Sequence, residues 1–218
     1  MVKQKIIVFD MDGVLVDIES SWRYIHDYFG TDNKENVEAY LQGRIGDEEF
    51  IKNDLLLWRE NEVCFSDIKK IFEEIPLMNG TKECIGELKK HGIKTAILSG
   101  GVNILAKRIA RETGIDYVLA NSIDEKLREC IIRVSPKGKD RALINLAEKL
   151  NVPRTDIVSV GNSHYDVKMF HVSGLGIAFN PSDEEVKKHA DVVIKEKDLR
   201  KVVPVALKFW NDGTRSRP

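Results

Sequence analysis

The tightest constraint on how this chain can fold is the stretch IIVFDMDGVLVD at residues 6–17. An apolar run, Ile6 to Phe9, stops at Asp10, and Asp12 and Gly13 come directly after. A short apolar run closed by polar and glycine residues reads as a buried strand that ends in a loop. Side chains alternate along extended backbone, so Asp10 and Asp12 can point to the same side of the strand end. Two carboxylates held together repel unless a cation lies between them. The pair therefore suggests a hard-metal site, a nucleophile with its acid/base partner, or both.

The remainder of the chain fixes the fold class. Residues 17–75 read as three or four short helices broken at Gly30, Gly43 and Gly46. Trp22, Ile25, Tyr28 and Phe29 recur at helical spacing there, as do Phe50, Ile51, Leu55 and Trp58. From Met78 onward helices and strands alternate. Helices are expected over 80–91, 103–113, 139–150, 167–173 and 199–209, several of them stopped by a glycine. Strands are expected over 94–98, 117–120, 157–160, 175–179 and 192–194, with 131–134 as a possible hairpin arm. Such alternation gives an α/β protein, a parallel sheet with helices on both faces. A small helical insertion comes after its first strand.

Composition sets the outer limits. With 218 residues, 42% apolar and 32% charged, the chain is long enough for one good core with a smaller insert. A net charge of −1 gives no general attraction to nucleic acid or an anionic membrane, so neither is expected as a partner. No apolar run reaches membrane-spanning length. Three cysteines, Cys64, Cys84 and Cys130, lack metal-ligand spacing and read as reduced thiols of a cytoplasmic protein. A loose tail is expected from Asn211 to Pro218.

Three strand ends carry polar clusters, where ligands of such sheets sit. The first holds Asp10 and Asp12. The second is Ser99-Gly100-Gly101, in which backbone N–H groups can approach an oxyanion and Ser99 adds a hydroxyl. The third, Gly161-Asn162-Ser163-His164-Tyr165-Asp166, opens a helix and sets Asp166 where it can share a cation with Asp10. A lysine near the start of the 139–150 helix can neutralise both a phosphate and a nucleophile.

DMDGVLVD, ILSGG, a helical lysine and VGNSHYD together resemble the four motifs of the haloacid dehalogenase-like superfamily, on its phosphatase side. SGGVNILAKRI, KDRALINLAEKL and ADVVIKEKDLRKVV are similar to its phosphoserine phosphatase-like branch. The resemblance implies a Rossmann-like catalytic core, residues 1–16 and 78–210, with a small helical cap at 17–77. It implies Mg²⁺ and a small phosphorylated metabolite, acted on by a monomer or homodimer. Asp10 would be the nucleophile that forms an aspartyl-phosphate, and Asp12 the general acid and base. Ser99 and the Gly100 amide would bind phosphoryl oxygens, with Lys139 rather than Lys137 as the phosphate-site lysine. Asp10, the Asp12 carbonyl and Asp166 would hold the metal.

The chain also departs from the pattern. Asn162 stands where the fourth motif usually has its first acid, which lowers the negative charge at the metal. Tyr165 replaces a small polar residue. Glu19 matches the glutamate that phosphoserine phosphatases use for the substrate amine, so it is the candidate specificity residue. Asp54 aligns with the arginine those enzymes use for the substrate carboxylate, which disfavours acidic substrates; Arg44, Lys52 and Arg59 are the nearby cations. The expected activity is Mg²⁺-dependent hydrolysis of a small phosphate monoester. The alternatives are a phosphomutase of the same superfamily and a non-catalytic phospho-ligand binder.

Overall fold

A computed structural model describes residues 4–212 of the chain. Strand β1 (Ile6–Phe9) lies at the centre of a seven-stranded sheet, between β2 (Lys94–Val102) and β5 (Ile157–Gly161). Beyond β2 come β3 (Tyr117–Ile123) and β4 (Cys130–Ile131); beyond β5 come β6 (Leu175–Phe179) and β7 (Val192–Ile194). Every pairing is parallel except β3 with β4. The chain thus builds outward from β1 in one direction, returns, and builds in the other. The crevice at such a reversal is where α/β sheets bind ligands.

The two-residue period of β1 sorts its side chains. Ile7 and Phe9 join one apolar cluster, and Ile6 and Val8 the cluster on the opposite face. All four are at most 1% exposed, and burying side chains of this kind contributes about 1.5–3 kcal/mol each. Phe9 pairs with Ile97 on one side and Val160 on the other, which brings Asp10, Ser99 and Gly161 to one end of the sheet.

The insertion that comes after β1 holds four helices, α1 (Ser21–Phe29), α2 (Lys34–Leu41), α3 (Asp47–Glu60) and α4 (Phe65–Glu74). Ser20 caps α1 through its hydroxyl, and Gly30 ends it in the left-handed region at φ 67°. Ile25, Leu55, Trp58, Ile68 and Phe72 are buried in the same apolar cluster as Ile7 and Phe9, so the insertion shares the core of the sheet. Helices α5 (Thr81–Lys90), α6 (Asn103–Thr113), α7 (Lys139–Leu150) and α8 (Val167–His171) come next, then α9 (Glu184–His189) and α10 (Val202–Asn211).

Several expected boundaries shift. β2 does not stop at Leu98 but continues through Ser99, Gly100 and Gly101 to Val102, with a break in its pairing to β3. The hairpin arm is the two-residue β4, one residue ahead of the 131–134 segment. α8 ends at His171, and a 3₁₀ turn at Leu199–Lys201 precedes α10. α9 is too short to show a helical period, although Asp183 caps it by accepting from the Val186 N–H at 2.8 Å. Of the expected tail only Asn211 and Asp212 lie within the described residues, and Asn211 closes α10. The three cysteines are free thiols. No helix among the described residues is long and apolar enough to cross a membrane.

Candidate active site

Each strand end delivers one part of a polar cluster to a cavity of about 800 Å³ at the carboxyl edge of the sheet. Asp10 leaves β1 with its N–H bonded to the Val160 carbonyl at 2.9 Å, so its backbone still follows the sheet. Its side chain is buried, with Oδ2 3.0 Å from the Lys139 ammonium. Its Oδ1 has no partner. Lys139, the first residue of α7, is only 4% exposed and also donates to Asp166 Oδ1 at 2.6 Å. Burial works against the ammonium, but Asp10 and Asp166 overcome it and hold the Lys139 pKa above its usual value.

Asp166 is wholly buried, and its second oxygen accepts from the N–H groups of Asn162 (2.9 Å) and Ser163 (3.0 Å) and from the Ser163 hydroxyl (3.2 Å). It thereby orients Lys139 and closes the 161–166 loop. Gly161 leaves the room this needs, since a Cβ there would lie 2.3 Å from Asp166 Cβ. Asp12 sits at the cavity floor. Its Oδ2 accepts from the backbone N–H and the hydroxyl of Ser21, at 2.9 and 3.0 Å, while Oδ1 has no partner. Burial, reinforced by the Asp10 carboxylate, lifts the Asp12 pKa to about 7. Burial, then Asp166, lifts that of Asp10 to about 6 against the pull of Lys139. The neighbouring carboxyls are thus an acid that holds its proton near neutrality and a group whose charge Lys139 compensates.

Ser99 and Gly100 line the same cavity. Ser99 Oγ accepts from the Gly101 N–H at 3.1 Å. The Gly100 carbonyl is gripped from two sides, by Trp22 Nε1 at 3.0 Å and Asn121 Nδ2 at 2.9 Å. Asn162 packs against Gly13, which has φ +74° and leaves no room for a Cβ: one would lie 2.0 Å from Asn162 Nδ2.

The structure brings together Asp10, Asp12, Ser99, Gly100, Lys139, Asn162 and Asp166, and Glu19 lines the cavity with them. The Glu19 side chain is largely exposed and pairs with Arg23 at 3.1 Å. Lys137 lies elsewhere, with its ammonium over the Tyr40 ring. Asp54 does not face the site: it is fully buried in the insertion, where Asn33 and Asn36 donate to it and His26 Nε2 lies 3.3 Å away. Arg44 donates to Gln42, Arg59 to the Leu127 carbonyl, and neither they nor Lys52 line the cavity. Sequence reasoning missed Ser21, Trp22 and Asn121. Trp22 has the spacing of a core residue, and only its ring nitrogen shows the second role; Asn121 holds a loop far along the chain, for which the sequence carries no local signal.

Residues 4–174 match the family model of the haloacid dehalogenase-like hydrolases. The chain is 29% identical over 209 residues to the phosphoserine phosphatase of Methanocaldococcus jannaschii, covering 92% of this chain and 97% of that one. It is 30% identical over 205 residues to that of Archaeoglobus fulgidus, which covers 90% of this chain; this chain spans 58% of that relative's length. Among solved structures, a phospho-aspartyl intermediate analogue of a phosphoserine phosphatase superposes with a TM-score of 0.77 at 28% identity, over 93% of this chain and 99% of the other. A substrate-bound phosphoserine phosphatase complex gives 0.76 at 27%, over 94% and 99%. With its parallel sheet, its three strand-end loops and these relatives, the chain belongs to the haloacid dehalogenase-like hydrolases, in their phosphoserine phosphatase-like branch.

Proposed function

We propose that this phosphoric monoester hydrolase works through attack of Asp10 on the phosphorus of a small phosphate monoester. The observation that carries the reading is the Asp10 carboxylate: one oxygen is pinned by Lys139, and the other is buried, unpartnered and beside a cavity that Ser99 and Gly100 also line. Attack by Asp10 gives an aspartyl-phosphate and expels the alcohol, to which Asp12 gives its proton. Asp12, now a carboxylate, takes a proton from the water that cleaves the acyl-phosphate. Ser21 holds one Asp12 oxygen still through both transfers. Lys139, Ser99 and the Gly100 amide offset the phosphoryl charge.

The donor set fits Mg²⁺, which binds through one or two carboxylates and completes its shell with water and phosphate oxygens. No group of three or more His, Cys, Asp or Glu side chains able to hold a metal exists among the described residues. Asp10, with its unpartnered oxygen, the Asp12 carbonyl and the Asn162 amide are the residues that would hold the ion. Asp166, already accepting from Lys139 and the loop, would support it from behind or give up one of those donors. When bound, Mg²⁺ would supply positive charge to the phosphoryl oxygens.

Glu19, at the hinge into the 17–77 cap, would favour an amine or hydroxyl on the substrate and repel a second acid. The substrate is then a small cytoplasmic metabolite with one phosphate. The test is phosphate release from p-nitrophenyl phosphate with and without Mg²⁺. Asp10→Asn should abolish it with the fold intact; turnover by a clean Asp10→Asn preparation would refute the mechanism, and phosphate transfer without release would make the protein a mutase. A clear preference for phosphoserine over phosphoethanolamine would refute the role of Glu19.

A further inference from the structure

A second cavity, of about 80 Å³, adjoins the first and shares Trp22, Gly100 and Pro136 with it. It lies between the insertion and the sheet, with Tyr40, Phe50, Ile51 and Ile132 among its walls. Every wall group able to donate a hydrogen bond through its side chain is already engaged. Trp22 Nε1 donates to the Gly100 carbonyl, and Tyr40 Oη donates to Asp47 Oδ1 at 2.6 Å. Asn121 is saturated, its amide donating to the carbonyls of Gly100 and Val134 and its oxygen accepting from the N–H groups of Arg133 and Val134. Asp47 is the one charged wall residue among those described, and it is an acid. A polar group entering this pocket would shed water and find no side-chain donor, which is unfavourable; a carboxylate would also meet Asp47.

We propose that this pocket seats an uncharged apolar part of the substrate's alcohol, beside the phosphate held at Gly100. The assignment rests on the phosphatase reading and adds the substrate class: a phosphate ester of an alcohol with a short aliphatic branch. At about 30 Å³ for each water-sized group, the pocket takes roughly three carbons. It is smaller than the cavity of about 150 Å³ known to hold benzene. Glu19 lines the larger cavity and not this one, so a hydroxyl or amine elsewhere on the same alcohol remains compatible.

The experiment is a chain-length series of methyl, ethyl, propyl and hexyl phosphate with the full chain and Mg²⁺, read as kcat/KM. These alcohols are of nearly equal acidity, so the series isolates the pocket. Each methylene that enters should raise kcat/KM about fourfold, the transfer free energy of a buried CH₂, so propyl should exceed methyl by about sixteenfold. Hexyl should gain nothing further. Ile132→Phe, which fills the pocket from a half-buried wall, should bring the propyl-to-methyl ratio close to one; Phe50→Ala should extend the gain to longer chains. A flat series, a gain that continues to hexyl, or an unchanged ratio in folded Ile132→Phe would overturn the assignment while leaving the phosphatase reading in place. Failure of every ester, p-nitrophenyl phosphate included, would remove both.

Discussion

Without the Lys139 ammonium, Asp10 and Asp166 would face each other in a buried space with no cation between them. Breaking a buried ion pair from one side leaves an uncompensated charge, at a cost of about 3–5 kcal/mol. Lys139→Met should therefore lower the urea unfolding free energy at pH 7 by roughly that amount and abolish turnover. A variant as stable as the parent would show that the triad is not buried and charged in solution. Asn162→Asp acts in the opposite sense. It restores a charged oxygen beside Gly13, so the Mg²⁺ concentration for half-maximal activity should fall, whatever happens to the rate. An unchanged Mg²⁺ dependence would mean that Asn162 does not face the ion. Lys139, at the start of α7, was separated from Lys137 only by the family resemblance, whereas Asp10, Asn162 and Asp166 were legible in the sequence because each comes after a strand at short, fixed spacing. Trp22 and Asn121 were not, because their bonds to Gly100 span 78 and 21 residues and periodicity reports only near neighbours. Asp54 misled for a related reason: alignment places a residue on a helix but does not say that Asn33 and Asn36 turn it inward.

Whole elements were read best where punctuation and period agree. α6 runs over Asn103–Thr113 as expected, because Gly114 accepts the left-handed φ of 77° that ends it. β2 was read short because glycines usually close strands, yet Gly100 and Gly101 stay extended beside β3. Gly101 is there for closeness: a Cβ would lie 2.5 Å from Ser21 Oγ and 3.0 Å from Asp12 Oδ2. The unforeseen α9 bears on the site through Asp183. One oxygen caps the helix, and the other accepts from the backbone N–H of His164 at 2.8 Å. Asp183→Ala should thus cost about 1 kcal/mol through the lost cap and loosen the 161–166 loop as well. Asp183→Asn, whose single amide oxygen can still cap α9 but cannot also accept from His164, should recover the capping part of that loss. Urea unfolding of the two variants checks this, and equal losses would assign the effect to charge rather than to capping.

Across the whole molecule, carboxyls with shifted pKa values fall into two sets with opposite effects on stability. Asp116 and Asp183 have lowered pKa values although burial opposes it, because backbone and hydroxyl donors, Lys94 and His164 favour their charged forms. The stability they contribute is present above the ordinary carboxyl range and is lost as pH falls through their own lower values. Asp10 and Asp12 act the other way. Without metal, burial and their neighbours' charges hold them protonated up to about pH 6 and about pH 7, while the unfolded chain releases those protons near 3.8. Over that window the folded state binds more protons than the unfolded one, so its stability falls as pH rises. In EDTA the urea midpoint should therefore peak near pH 4–5 and decline toward pH 7. Mg²⁺ held by Asp10, the Asp12 carbonyl and Asn162 would stabilise the ionised form of Asp10 and so oppose the decline. At pH 7.5 and a hundredfold excess over its dissociation constant, it should add about 2.7 kcal/mol. At pH 4.5, where a proton competes for Asp10, it should add far less. A metal-free protein that grows more stable between pH 5 and 7, or equal Mg²⁺ effects at both pH values, would show that the orphaned oxygen of Asp10 does not receive the ion.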